Sequence, residues 1–471
     1  MAAAVLVMSS LCCLAWPGAA QAAPGQVPSN RADFNNDGIA DLIAGVPQAS
    51  SAAGQVSILP GSGNGPSSTG LKVITQSGAV PGSPEPGDRF GADVAYGDVD
   101  GDGRTDLAVG SPGEADSVNK ERGNVIVLTG SSQLTQGDYF TTANDDPRNP
   151  AMARLGTAVA MGDITGDGLD DVVGVGLGSG GSGGWLVWRD SATKKATTLR
   201  LTFEDLKYVD VAAGDFNGDG FDDVAVTTVD RHGRARAYEY QSAGRTGLTY
   251  AMAIQMGAGR TIDAGDIDQD GRDDIVIGQP ASPEVDPAYG GTIGGQVTVK
   301  LGQDYGLYYR GHTTTISQST PNVPGEAEEG DAMGASVALR DLNGDKTLDI
   351  VTGLPGEDST VNGVTSADAG SVLLLHLSAT ADGIALKSAT GLSQGTGGIG
   401  GAGEPGDQFG SAVTAGDFTG NGTTGLVLGA SGENNGDGTT IYRTATGTAA
   451  FLSKSIAGAP SGSRLGSVLE S

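Results

Sequence analysis

The sequence predicts an all-β chain folded as a seven-bladed β-propeller of four-stranded blades. Three observations lead there. A short aspartate-rich unit, D-x-[DN]-x-D-G in its full form, recurs seven times, starting at Asp33, Asp98, Asp163, Asp215, Asp266, Asp341 and Asp417. Successive starts lie 51 to 76 residues apart, room for one blade of four short strands and their turns. Glycine is frequent, with 80 residues and no Gly-X-Y period, so it punctuates short strands rather than building collagen.

The other parts of the repeat keep fixed offsets from the acidic loop. Eight residues before it stands a hydrophobic-Gly pair: Phe90-Gly91, Leu155-Gly156, Met333-Gly334 and Phe409-Gly410. An alternating segment such as Ala92-Asp93-Val94-Ala95-Tyr96 follows, with the period of a half-buried strand. After the loop, an apolar run ends in Gly-x-Pro, as in Gly45-Val46-Pro47, Gly110-Ser111-Pro112, Gly278-Gln279-Pro280 and Gly353-Leu354-Pro355. A third strand follows, as at Gly54–Leu59 and Gly123–Leu128, and then a less regular fourth. Repeats three and four are short and lack Gly-x-Pro; repeats four and five lack a clear hydrophobic-Gly pair. The first repeat begins at its acidic loop, and Arg464–Leu469 is a first strand with no loop after it. Leu465–Leu469 is therefore expected beside Asp41–Val46, closing the ring and leaving no sheet edge at the seam.

The loops have the composition of hard-cation sites. Positions 1, 3, 5 and 9 supply side-chain oxygens, glycine at 6 makes the turn, and the carbonyl at 7 adds a ligand. The expected sets are Asp33, Asn35, Asp37, Ile39 and Asp41 in loop one, and Asp98, Asp100, Asp102, Arg104 and Asp106 in loop two. Loop three offers Asp163, Thr165, Asp167, Leu169 and Asp171; loop four, Asp215, Asn217, Asp219, Phe221 and Asp223. Loop five offers Asp266, Asp268, Asp270, Arg272 and Asp274; loop six, Asp341, Asn343, Asp345, Thr347 and Asp349. Such oxygen-only, flexible sets suit Ca²⁺, and about five or six sites are expected. Position 12, where an EF-hand carries Glu, holds Ala44, Val109, Gly174, Val226, Ile277, Thr352 and Leu428, which excludes EF-hands. The alternative for any single copy is a metal-free Asx turn; six copies in one register favour metal. Loops two and five, with four carboxylates each, should bind most tightly, then one and four, then three. Lys346 replaces the turn glycine of loop six and weakens it. The seventh unit, Asp417, Thr419, Asn421, Gly422 and Gly425, has lost two carboxylates and is expected to be empty.

The net charge of −29 argues against a nucleic-acid partner, because phosphate would be repelled. Residues 1–23 read as a secretory signal, with an apolar run, Pro17 and the small-residue site Ala20-Gln21-Ala22, although no Lys or Arg precedes the run. Residues 24–471 then form one propeller. Cys12 and Cys13 both lie in the signal, so packing and metal, not disulfides, would hold the mature fold. No later segment is long and apolar enough to span a membrane. His232, His312 and His376 share no motif. Gly391-Leu392-Ser393-Gln394-Gly395 matches G-x-S-x-G but sits in a Gly/Ser/Thr-rich stretch without the strand-to-helix elbow. Trp185 and Trp188 read as blade packing, and the turns Glu85-Pro86-Gly87-Asp88 and Glu404-Pro405-Gly406-Asp407 as solvated connections.

The stretch from Asp88-Arg89-Phe90-Gly91 to Gly110-Ser111-Pro112, with its recurrences, resembles the FG-GAP repeat of integrin α-subunits and related bacterial proteins. The resemblance implies calcium loops on one propeller face and ligand-contacting loops on the other. Gly113–Arg122, Ala281–Gly294 and Gly356–Ala369 are then the candidate contact loops. It implies a secreted, monomeric, non-catalytic module that binds an extracellular protein or polysaccharide. The alternatives are a carbohydrate-binding lectin, for which the 5% aromatic content offers no repeated stacking residues, and a hydrolase or lyase, for which no further domain is available.

Overall fold

The structure, a computed structural model, describes residues 31–471 apart from 118, 131–133, 135, 143–151, 250–258, 281–291, 309–312, 362, 381–382 and 396–397. The expected signal and most of the contact loop at 281–294 lie outside the described residues. Seven antiparallel sheets accompany the seven acidic loops. Blade 2 gives the pattern: Val94–Gly97, Asp106–Ser111, Asn124–Thr129 and Gln136–Phe140, each hydrogen-bonded to the next. Blade 4 has three strands among the described residues, Leu206–Gly214, Asp223–Asp230 and Ala235–Tyr240. Blade 6 carries an extra hairpin, Ser359–Val361 with Val364–Ser366, between its second and third strands.

Blade 1 borrows its innermost strand from the far end of the sequence. Val468–Glu470 pairs antiparallel with Leu42–Val46 through Ile43↔Glu470, Ala44↔Leu469 and Gly45↔Val468. The expected closure is present, but the strand starts at Val468; Leu465 instead bridges Gly438 of blade 7. The Ser471 carbonyl secures the seam by accepting hydrogen bonds from Tyr96 Oη at 2.7 Å and Arg340 Nη2 at 3.0 Å. The inner strands contact one another in ring order around the axis, from Val468–Glu470 through Val94–Gly97 to Phe409–Gly416 and back.

Second and third strands are buried along nearly their whole length because each blade is covered on both faces by its neighbours. Alternation then decides which neighbour a side chain meets. Leu107 and Val109 pack with Ile43, Val56 and Ile58 of blade 1, whereas Ala108, Val125 and Val127 pack with Leu155 and Val172 of blade 3. Trp185 and Trp188 are buried, so the packing role expected for them holds.

The hydrophobic-Gly and Gly-x-Pro motifs are two halves of one inter-blade contact. The apolar residue of the first pair donates its backbone N–H to the preceding blade: Phe90 to Ala53 O at 3.1 Å, Leu155 to Arg122 O at 3.0 Å, Met333 to Gly294 O at 2.7 Å, Phe409 to Ala369 O at 3.0 Å and Leu465 to Asp437 O at 3.1 Å. The glycine that follows lays its carbonyl against the Gly-x-Pro glycine of that blade. A Cβ on Gly110 would stand 2.0 Å from Gly156 O, one on Gly278 2.1 Å from Gly334 O, and one on Gly353 1.8 Å from Gly410 O. One sequence expectation is corrected here. Asp88 and Asp407, in the turns read as solvated, are buried, and each Oδ2 accepts a hydrogen bond from the N–H three residues earlier, Glu85 at 2.6 Å and Glu404 at 2.7 Å.

Replacing Gly353 by Ala should therefore force neighbouring blades apart and cost about 1–3 kcal/mol. Gly391→Ala, whose Cβ would meet nothing closer than Pro324 at 3.5 Å, should stay within about 0.5 kcal/mol of wild type. Equilibrium urea unfolding of both variants checks the difference, and equal losses would discount the inter-blade contact.

Candidate metal-binding loops

The acidic loops sit between the first and second strands of each blade. Their turn is built by the aspartates themselves. In loop two, Asp98 accepts from the N–H groups of Gly101 at 2.7 Å and Gly103 at 2.9 Å, and Asp102 Oδ1 accepts from Arg104 N at 2.9 Å. Gly101 and Gly103 hold φ of +74° and +76°, a region that favours glycine. Positions 5 and 7 pair in the same way in the other loops: Asp37 with Ile39 N, Asp167 with Leu169 N, Asp219 with Phe221 N, Asp270 with Arg272 N and Asp345 with Thr347 N.

The ninth-position aspartate is buried and clamps the loop to the rest of the blade. Asp41 accepts from Phe34 N and Gly61 N, both at 2.9 Å; Asp274 accepts from Ile267 N at 2.9 Å and Gly302 N at 2.8 Å. Asp106 accepts from Val99 N and Gly130 N, and Asp171 from Thr165 N and Ser191 N. One oxygen thus fixes the loop, and the other fixes the segment after the third strand. Burial, opposed by these hydrogen bonds, pushes Asp41 up to about 6, Asp106 and Asp171 to about 7, and Asp223 and Asp274 to about 8.

Carboxylates converge in two of these loops among the described residues. Oxygens of Asp98, Asp100 and Asp106 lie within 4.8 Å of one another, as do those of Asp266, Asp268 and Asp274. These are the two loops with four carboxylates. The grouping is of positions 1, 3 and 9, while Asp102 and Asp270 bond the turn. The donor set is carboxylate oxygen throughout, which fits a hard divalent cation. In loop four the position-3 residue Asn217 donates its amide to Asp223 at 3.1 Å.

Loop six is partnered from within the protein. Lys346 takes φ of +76° in place of glycine, and two other side chains reach the carboxylates. Lys387 Nζ lies 3.0 Å from Asp345 Oδ2, and His376 Nδ1 lies 2.8 Å from Asp349 Oδ2. Sequence inspection gave His376 no role, because strand pairing, not sequence distance, brings it to the loop. In loop seven Asp417 binds the N–H groups of Gly422, Thr419 and Asn421. Burial works against its ionised form, but these N–H groups outweigh burial and hold Asp417 below its ordinary value.

Position 8 was also missed. Asp170, Asp222 and Asp273 accept from the first-position N–H of the preceding loop: Asp98 at 2.7 Å, Asp163 at 2.8 Å and Asp215 at 3.0 Å. Thr105 Oγ1 accepts from Asp33 N at 3.0 Å, and Ala40 N reaches Asp417 O at 3.2 Å across the seam. The loops therefore form a hydrogen-bonded chain around one face.

Comparison with known proteins agrees with this repeat structure. An FG-GAP repeat model matches residues 31–59, 90–128, 258–299 and 333–375, and an FG-GAP-like repeat model matches 163–226 and 215–277. Together they cover about half of the chain. Phosphatidylinositol-glycan-specific phospholipase D of Rattus norvegicus is 33% identical over 148 residues, 30% of this chain and 17% of that protein. Integrin alpha pat-2 of Caenorhabditis briggsae is 30% identical over 232 residues, 46% of this chain and 17% of its own length. Integrin alpha-V of Gallus gallus is 32% identical over 151 residues, 30% of this chain and 12% of its own length. The matched stretch is thus a small part of each relative.

The raised carboxyl groups fix a pH dependence. A carboxyl held above its unfolded value of 3.8 binds its proton more tightly in the folded chain, so its contribution is present in acid and lost as pH rises through about 6–8. Groups held low, such as Asp417, change only below 3.8 and do not affect that window. Metal-free protein should therefore melt at a lower temperature at pH 8 than at pH 5, as read by circular dichroism. A flat or rising profile would contradict the burial of these carboxyls.

Proposed function

The chain belongs to the FG-GAP repeat family of β-propellers, and on that premise we propose that it is a calcium-loaded, non-catalytic binding module for an extracellular protein or polysaccharide. The apolar segment at residues 1–23 would direct it out of the cell. Calcium fills loops two and five first, through Asp98, Asp100 and Asp106 and through Asp266, Asp268 and Asp274. Loops one, four and three follow. Loop six, already paired with Lys387 and His376, and loop seven, with one carboxylate, stay weak or empty.

The observation that carries the binding role is the asymmetry of the two faces. Strands alternate in direction, so the acidic loops emerge on one face, and the connections after the second and fourth strands emerge on the other. That second face exposes large apolar side chains in three of its connections: Phe203 at 83%, Ile293 at 53% and Val364 at 69% exposure. Each offers a partner apolar area to bury on a rigid disc. Kinship with integrin alpha chains supports binding over catalysis.

Two measurements test this reading. At about 2 mM Ca²⁺, a site with a dissociation constant of roughly 0.1–1 mM adds about 0.7–1.8 kcal/mol through linkage. Chelation should lower the melting temperature by several degrees, Ca²⁺ should restore it better than Mg²⁺, and Asp100→Ala should remove part of the gain. An unchanged melting curve in chelator would leave the loops as plain turns. For the partner surface, an array of extracellular matrix proteins, glycans and cell-wall polymers should yield a ligand. Phe203→Ala or Val364→Ala should weaken its capture at least fivefold, while Tyr305→Ala, in the connection after a third strand, should not. Equal effects on both faces would overturn the assignment.

A further inference from the structure

A second set of acidic residues recurs at three blade junctions, on the face away from the acidic loops, and its three carboxylates converge at one of them. At the junction of blades 6 and 7, oxygens of Glu404, Asp407 and Glu433 lie within 4.8 Å of one another. Gln394, at the end of the fourth strand of blade 6, donates Nε2 to Glu433 Oε2 at 2.7 Å. Between blades 1 and 2 the same parts are Gln76, Glu85, Asp88 and Glu114, with Gln76 Nε2 2.6 Å from Glu114 Oε2. Between blades 5 and 6 they are Gln318, Glu328, Asp331 and Glu357, with Gln318 Nε2 2.8 Å from Glu357 Oε2. In every copy the aspartate is buried and accepts the backbone N–H of the first glutamate, at 2.6 to 2.7 Å.

An acidic cluster alone would mean little. The second observation is the glutamine. Gln76, Gln318 and Gln394 are 0%, 6% and 3% exposed, and the Oε1 of each is buried with no hydrogen-bond partner. A buried carbonyl oxygen without a partner has lost its water and gained nothing in return. Three such orphans in one register are not three accidents. At the junction of blades 5 and 6 the place where a Cβ on Gly294 would stand is 3.0 Å from Gln318 Oε1, 3.1 Å from Asp331 Oδ2 and 3.2 Å from the Glu328 carbonyl oxygen, so that orphaned oxygen faces the buried aspartate; Ala53 and Ala369 hold the matching place at the other two junctions. An amide oxygen from one segment and a carboxylate and a backbone carbonyl from another thus come together beside Gly294.

Two other junctions give an internal contrast. The residue paired with the glycine before the third strand is glutamine in the three copies, but Thr142 between blades 2 and 3 and Lys454 between blades 7 and 1. The aspartate is replaced there by Ala153 and Ser463. In both cases a protein cation is supplied: Arg122 donates to Thr142 and pairs with Asp116, and Lys454 pairs with Asp437. Where the carboxylates are kept, no lysine or arginine is paired to them among the described ion pairs.

We propose that these three junctions are divalent-cation sites of the Ca²⁺ class, each closed by the glutamine carbonyl, the buried aspartate and the flanking glutamates. The donors are hard oxygens from both neighbouring blades, so a bound ion would tie one blade's fourth strand to the next blade's second-to-third connection. Glu114 and Glu357 open two of the loops expected to contact a partner, so the ion would also set the shape of that face.

The test is the number of Ca²⁺ bound per full-length chain, by equilibrium dialysis, in wild type and in the triple variant Glu114→Gln/Glu357→Gln/Glu433→Gln. The expected result is a loss of three ions, with the acidic-loop ions kept; Asp100→Ala/Asp268→Ala should lose ions from the other face without touching these three. The triple variant removes half-buried negative charge from beside other carboxylates, so in chelator it should melt no lower than wild type, which shows that it folds. An unchanged ion count in the triple variant overturns the proposal while leaving the acidic-loop reading intact, and no binding by wild type overturns both. Wild-type crystals grown in CaCl₂ provide a route that needs no variant. Long-wavelength anomalous density beside Gln318 Oε1 and Asp331 Oδ2 supports the site, and density confined to the acidic loops refutes it.

Discussion

Neighbouring blades are joined where a glycine carbonyl lies against a glycine Cα, an approach that any Cβ would block. Gly110 under Gly156 O, Gly278 under Gly334 O and Gly353 under Gly410 O are the same contact in three places. Because it is a backbone contact, it fixes the separation and register of the blades before side chains contribute. Side chains then fill a gap of set width, with Leu107 facing one neighbour and Ala108 the other. The hydrophobic-Gly and Gly-x-Pro signatures are far apart in sequence within a repeat, yet they meet across the boundary between repeats.

The heavy negative charge follows from how the loops are made. Aspartates at positions 1 and 5 fold the turn by accepting backbone N–H groups, and those at position 9 reach into the blade to hold the segment after the third strand. Position 8 adds links from loop to loop. Each carboxylate therefore has a structural partner before any cation is considered. Burial first, and the neighbouring carboxylates after it, raise Asp223 and Asp274 to about 8. In loop six the protein supplies partners of its own, Lys387 to Asp345 and His376 to Asp349, and less remains for an ion to bind.

The two faces divide the work. One is tied together by the chain of loop-to-loop hydrogen bonds and presents mainly acidic turns. The other carries the longer connections, the blade 6 hairpin and the exposed Phe203, Ile293 and Val364. Rigidity on the first face supports presentation on the second, since every second strand runs from one to the other.

Blade number, strand order, ring closure and the acidic loops were legible in the sequence, because each depends on residues at fixed short offsets: Asp98 to Asp106, Phe90-Gly91 to Asp98, and the half-repeats at Asp33 and Leu465. A turn needs its glycine and its Asx residues close together, so local physics writes it into the chain. The meeting of His376 with Asp349, the straps from Asp170, Asp222 and Asp273, and the cluster of Gln394 with Glu404, Asp407 and Glu433 were not legible. Each joins residues from different strands or different blades, and only the packing of one sheet on the next determines which carboxylates lose water and which oxygens are left without a partner.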